Sequence, residues 1–127
     1  MILSLDMYSD TPIYTQLCQQ IIKAIALEEL KPGDDLPSVR SLAADIGVNL
    51  HTINKAYNAL KAEGFLVVNR RKGVMVNDPN LFKANQSYKE RLSKELEVIM
   101  IESMARGLEY NELQSIMTDI LVNMKGE

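Results

Sequence analysis

The sequence predicts a mainly α chain with one small β-hairpin (α+β), arranged as a winged helix-turn-helix domain followed by a two-helix appendage. Three observations carry this expectation. Two short amphipathic patterns between residues 38 and 63 flank a glycine turn at Gly47. Two apolar stretches follow, pinched around the basic run Arg70-Arg71-Lys72. Beyond the break Asp78-Pro79-Asn80 lie two more helical patterns, each with a wide apolar stripe.

Taken in order, the segment Met1 to Asp10 is apolar in part (Ile2, Leu3, Leu5, Met7) and supports no assignment. Thr11 and Pro12 read as a cap followed by proline at the first helical position. Tyr14, Leu17, Cys18, Ile21, Ile22 and Ile25 then form a broad apolar face that runs to about Leu27. Lys31-Pro32-Gly33 turns the chain. A second helix opens after Pro37 with Ser38 as its cap, and Val39, Leu42, Ala43 and Ile46 recur at i, i+3, i+4 and i+7.

Gly47 supplies the turn, and Asn49 caps a third helix whose core stripe is Ile53, Ala56, Tyr57 and Leu60. His51, Asn54, Lys55 and Asn58 repeat the same spacing about half a turn away, so they share the outward face. Gly64 ends this helix. Phe65 to Val68 and Val74 to Val76 read as antiparallel strands, with Asn69 to Gly73 as the hairpin tip.

Charge is distributed unevenly. Residues 37 to 77 carry a net +4, whereas residues 1 to 36 carry −4 and residues 78 to 127 carry −3, which makes the chain −3 overall. An acidic chain has concentrated its positive charge in the segment that pairs a polar helix face with a basic hairpin. Such a segment suits a polyanion: hydrogen-bonding groups for base edges, cations for phosphates, and a helix sized for a DNA major groove. A winged helix that docks protein instead of DNA is the alternative, and the three adjacent cations at residues 70 to 72 weigh against it.

The appendage is expected to contain a long helix from near Leu81 to Arg106, closed by Gly107, with Tyr88, Leu92, Leu96, Ile99 and Met100 on one side. A final helix from about Asn111 carries Leu113, Ile116, Met117, Ile120, Leu121 and Met124. Two helices cannot bury such stripes by themselves. The winged-helix body could cover them, but a second copy of the same appendage explains the pattern better, and a homodimer would present two recognition helices to one face of the duplex. The expected domains are residues 1–78 for DNA binding and 79–127 for dimerisation.

Several functions are disfavoured. No glycine-rich phosphate loop, metal-ligand cluster or nucleophile setting is present, and the one histidine, His51, lies in the proposed recognition helix, so neither enzyme chemistry nor a cofactor or metal is expected. No apolar run approaches membrane-spanning length, and the first residues lack the layout of a secretion signal. The single Cys18 suits a reduced cytoplasm. The appendage is too small to enclose a ligand pocket of ordinary volume, so a small-molecule effector is not expected.

From Pro12 to about Asn77 the chain resembles the DNA-binding domain of GntR-family bacterial transcription regulators. The matching stretches are PIYTQL (12–17), LKPGDDLPSVRSLA (30–43), GVNLHTINKAYNALKAEGFL (47–66) and RRKG (70–73), in the family's order. The short tail looks like that of the YtrA subfamily, whose C-terminal part is a small dimerisation unit. The resemblance implies a double-stranded DNA operator as partner and a cytoplasmic, nucleoid-associated location. Such regulators are often repressors encoded with membrane transport systems.

It also implies DNA contacts at Arg40, at Asn49, Leu50, His51, Thr52, Asn54 and Lys55 around the start of the recognition helix, and from Arg70, Arg71, Lys72 and Gly73 in the wing. Asn58 joins them from the helical spacing. Leu50 stands where arginine or proline is common, and Asn54 where arginine is frequent. A leucine there can touch a thymine methyl. Glu28 occupies a position where many relatives close the first helix with glycine.

Overall fold

The computed structural model describes residues 3–126; Ile2, read above as part of an apolar N-terminal stretch, lies outside them. Five α-helices and one hairpin follow in the order α1 (Ile13–Ala26), α2 (Val39–Ile46), α3 (Leu50–Ala62), β1 (Leu66–Asn69), β2 (Gly73–Val76), α4 (Gln86–Ala105) and α5 (Tyr110–Gly126), with a 3-10 turn at Pro79–Leu81. They form two compact units, which meet in sequence between Lys83 and Ala84.

The first unit is built on the stripes that the sequence displays. Ile53, Ala56, Tyr57 and Leu60 of α3 are all buried, as are Leu17, Ile21 and Ala24 of α1, Leu42 of α2, Leu66 of β1 and Val76 of β2. The α3 helix is the centre of this core: α1 and α2 both pack on it, and β1 follows directly from its end. Tyr57 is fully enclosed yet keeps its hydroxyl satisfied, donating to the Pro37 carbonyl at 2.8 Å and so tying α3 to the entry of α2.

Helix ends follow local chemistry. The Ser38 hydroxyl accepts from Ser41 N at 3.1 Å, and the Asn49 side chain accepts from His51 N at 2.7 Å. At α1 the start differs from expectation. Pro12, with ψ near 146°, is the cap position rather than the first helical residue, and no side chain caps the helix. The physical reason is Gln16, whose Nε2 donates to Thr11 O at 2.8 Å and to Asp6 O at 2.9 Å, holding the preceding turn in place of a threonine cap.

The α1 helix closes with paired bonds from Glu28 N to Ile25 O (3.1 Å) and from Glu29 N to Ala24 O (2.8 Å). That closure needs a left-handed residue, and here it is Glu28, at φ 61°. The equivalent closure of α3 uses Gly64 at φ 90°, with Gly64 N donating to Lys61 O and Phe65 N to Leu60 O, both at 3.0 Å. Gly64 has a second reason to be glycine: a Cβ there would stand 2.7 Å from the Leu81 carbonyl oxygen.

That close approach, with the Phe65 and Phe82 rings 5.0 Å apart, joins the Pro79–Leu81 turn to the first unit. The compact body therefore ends at Lys83 rather than at residue 78, and α4 begins at Gln86 rather than near Leu81. Pro79 begins a single 3-10 turn, with the Asp78 carboxylate accepting from Asn80 N at 2.9 Å, and the long helix starts only where the Asn85 side chain can cap Tyr88 N at 2.8 Å.

Two features of this unit leave no local mark in the sequence. Residues around Asp35 form a further bridge to β2, with Gly33 N donating to Val76 O (2.9 Å), Val76 N to Asp34 O (2.9 Å) and Leu36 N to Val74 O (2.8 Å). The N-terminal segment is also clamped onto α1. Asp6 N donates to Gln16 Oε1 at 2.8 Å and Ser4 N to Gln20 Oε1 at 2.7 Å, and each glutamine amide donates back to the same residue's carbonyl. Four residues of helix advance about 6 Å and two residues of extended chain about 6.6 Å, so glutamines at i and i+4 match alternate peptides of an extended arm. Leu3 and Leu5 use this placement to pack against the core.

The second unit, α4 and α5, is different in kind. The closure at Gly107 is as expected, with φ 84° and Leu108 N donating to Ser103 O at 3.0 Å. None of the described residues of either helix is buried.

Candidate nucleic-acid interface

The α3 helix carries the core stripe on one side and the proposed contact residues on the other. His51, Asn54, Lys55 and Asn58 are all exposed, which agrees with their half-turn offset from Ile53, Ala56, Tyr57 and Leu60. Asn49 and Leu50 at its start are exposed as well, Leu50 at 38%. Thr52 is half-buried, since it lies between the two faces. Arg40 is exposed near the start of α2. The strip therefore holds amide, imidazole, hydroxyl and ammonium groups in water, on a rigid helix whose opposite side is locked in the core.

The wing is a tight hairpin. Leu66 pairs with Val76, Val67 with Met75, Val68 with Val74 and Asn69 with Gly73, which leaves Arg70, Arg71 and Lys72 as the loop. Three like charges in one loop repel one another, and the backbone holds them by a local device. The Asn69 side-chain oxygen accepts from Arg71 N at 2.9 Å and Lys72 N at 3.2 Å, and Gly73 takes the φ of 82° that returns the chain into β2. All three cations are exposed. By sequence alone Asn69 marks one end of the hairpin tip; its position directly before the cations is the signal for this turn.

One further residue belongs to the site. The Lys55 ammonium lies 4.5 Å from the centroid of the Tyr14 ring, so α1 supplies an aromatic face beneath a cation of α3. Tyr14 belongs to the apolar face of α1, and its half-buried state agrees with that. One turn further along, α1 packs across α3. Cys18, also half-buried, lies with its Sγ 3.8 Å from Ala56 O, and burial pushes its thiol above the ordinary pKa, so it behaves as a packing residue.

Among the described residues no three His, Cys, Asp or Glu side chains converge as metal ligands would. Nor is any described helix long and apolar enough to cross a membrane.

A rigid helix with a polar outward strip, a capped helix-turn-helix preceding it and a basic two-stranded wing following it define a winged helix-turn-helix protein. Comparison with known proteins takes this further. The family model described as "Bacterial regulatory proteins, gntR family" matches residues 13–76, and the chain belongs to that family of DNA-binding transcription regulators, as a YtrA-like member. It is 32% identical over 124 residues to the HTH-type transcriptional repressor YtrA of Bacillus subtilis (strain 168), covering 98% of this chain and 95% of that protein.

Among solved structures it is similar to YtrA from Sulfolobus acidocaldarius, a GntR-family transcription factor, with TM-score 0.65 and 43% identity, over 83% of this chain and 99% of that one. It is also similar to AraR(DBD) in complex with operator ORX1, with TM-score 0.50 and 29% identity, over 58% of this chain and 92% of that one. These relatives are transcription regulators, and this protein shares their family.

Proposed function

We propose that this protein is a repressor that binds a pseudo-palindromic operator as a homodimer, with membrane transport genes among its targets. DNA is met by Asn49, Leu50, His51, Thr52, Asn54, Lys55 and Asn58 of α3 and its cap, by Arg40 of α2, and by Arg70, Arg71, Lys72 and Gly73 of the wing. The observation that carries this reading is the exposure of the α3 strip while every core-stripe residue of the same helix is buried. Repression is supported by the likeness to a relative named as a repressor along almost the whole chain. In a regulator of this kind the cytoplasm, at the nucleoid, is the place of action.

Dimerisation is the role we assign to residues 84–127. Leu92, Leu96, Ile99 and Met100 of α4 and Ile116, Met117, Ile120 and Leu121 of α5 are exposed, and Leu113 and Met124 are only half-buried. From Val98 to Ile101 the four apolar side chains point all round α4, and each is exposed. A helical turn that is apolar on every side suits a place that an assembly encloses. The groove along α4, about 540 Å³, has every wall residue on that single helix, so it is an uncovered flank rather than a ligand cavity. We assign no small-molecule effector.

Selection of bound duplexes from a random pool tests the reading. Two inverted half-sites about one duplex turn (~10 bp), or a multiple of it, apart are the expected product. Enrichment of isolated half-sites, or of nothing, would sink it. Arg40→Ala and Lys55→Ala should each weaken binding to the selected duplex by about 1–3 kcal/mol with the fold intact, and unchanged affinity for both would remove the assigned face.

A further inference from the structure

Lys55 differs from the other cations assigned to DNA. Arg40, Arg70, Arg71 and Lys72 are exposed, and among the described residues none of these four stacks on an aromatic ring, whereas the Lys55 ammonium is 4.5 Å from the centre of Tyr14. Tyr14 is itself constrained: it is half-buried, lies in the first turn of α1 and packs against the core cluster. Its ring is therefore a fixed surface, and the negative face of a fixed ring selects among the many rotamers open to a lysine stem.

A free surface lysine loses that rotamer freedom when it grips a phosphate or a base edge, which weakens the contact. A lysine already seated on a ring has lost part of it beforehand. The ammonium has three N–H donors and is exposed, so the side away from the ring stays open to an acceptor.

We propose that Tyr14 is a positioning residue: its ring holds the Lys55 ammonium in the orientation used against DNA and raises affinity without itself being the contact. The inference rests on the reading of the α3 strip as the DNA-facing surface. It requires the ring and not the hydroxyl, and it acts only through Lys55.

The test is a double-mutant cycle in the full chain, read by salt-dependent binding to the selected duplex. Tyr14→Leu should weaken binding about two- to fivefold while leaving the salt slope unchanged, because Lys55 still reaches its acceptor. Tyr14→Phe should bind like the natural protein. Lys55→Ala should weaken binding and, where Lys55 meets a phosphate, lower the slope by about one. On the Lys55→Ala background, Tyr14→Leu should have no further effect. A full Tyr14→Leu loss on that background, or Tyr14→Phe as weak as Tyr14→Leu, would show that Tyr14 acts by another route.

Lys55→Ala without effect while Arg40→Ala weakens binding would overturn the proposal and leave the face in place; both without effect would remove the DNA-facing reading itself, and the two failures are thus distinct. Should Tyr14→Leu fold poorly, the natural protein supplies an independent readout: free of DNA, the Lys55 ε-methylene protons should be shifted upfield by the ring. A random-coil shift for those protons would overturn the proposal.

Discussion

The two compact units of this chain solve the problem of apolar surface in opposite ways. In the first, α3 puts Ile53, Ala56, Tyr57 and Leu60 into a core shared with α1, α2 and the hairpin, and its outward strip is polar. In the second, α4 and α5 carry weaker apolar stripes and bury none of them. The same i, i+3, i+4 signal thus marks a finished interior in one place and an unfinished one in the other. No described residue of the 20-residue α4 or the 17-residue α5 is buried, so the second unit has no interior of its own to match that of the first.

The sharpest way to break this contrast is to damage each unit in turn. Ile53→Ala removes a side chain with no exposed surface, and should cost about 2–5 kcal/mol of unfolding free energy in denaturant titration, with the first unit lost. Ile120→Asp places a carboxylate on a residue that is 53% exposed, so a free tail would tolerate it. The expected outcome is monomers in sedimentation and a loss of operator affinity of about a hundredfold or more, since two linked half-site contacts become one. Dimers retained at full affinity would remove the assigned role of the tail.

A third effect belongs to the first unit alone. Burial pushes the Tyr57 hydroxyl up to about 12 from an ordinary value of 10. The folded state therefore holds this proton more tightly than the unfolded chain does. Its contribution is complete below pH 10 and is lost as pH rises toward 12, on the order of 2 kcal/mol across that window. Tyr57→Phe should flatten the alkaline limb of the stability profile, at a cost of about 1 kcal/mol near neutrality from the lost bond to Pro37. An identical alkaline limb in the variant would contradict this assignment.

The smallest expected change compares two helix closures. Glu28 and Gly64 occupy the same left-handed position in α1 and α3, but only one of them is glycine. Glu28→Gly should relieve the left-handed penalty and raise stability by about 0.5–1 kcal/mol, read as a higher melting temperature. Gly64→Ala should lower stability, and by more than that, because its Cβ would also meet the Leu81 backbone carbonyl oxygen at 2.7 Å.

Much of the first unit was legible in the sequence because its signals are local. The cap at Ser38, the glycine at Gly47, the strip from His51 to Asn58 and the basic loop at residues 70 to 72 each need only a few neighbouring residues to be read. The bridge from Asp35 to β2 was not, since it pairs segments some forty residues apart through backbone groups that any residue carries. The glutamine clamp was hidden for a related reason: Gln16 and Gln20 look like solvated helix positions until an extended arm is laid beside them. Likewise, the 3-10 turn that delays α4 follows from the fit of Leu81 and Phe82 against Gly64 and Phe65, a fit invisible to periodicity.

Periodicity and charge, which any reader of the chain can count, determined the kind of protein this is and which helix face remains polar. Packing decided what counting could not: that Tyr14 lies under Lys55, that Gln16 replaces a threonine cap, and that the first body extends to Lys83. The division has a physical origin. Helical and strand patterns arise from interactions over three or four residues, whereas cation–ring, amide–peptide and ring–ring contacts join side chains that only the folded chain brings within a few ångströms.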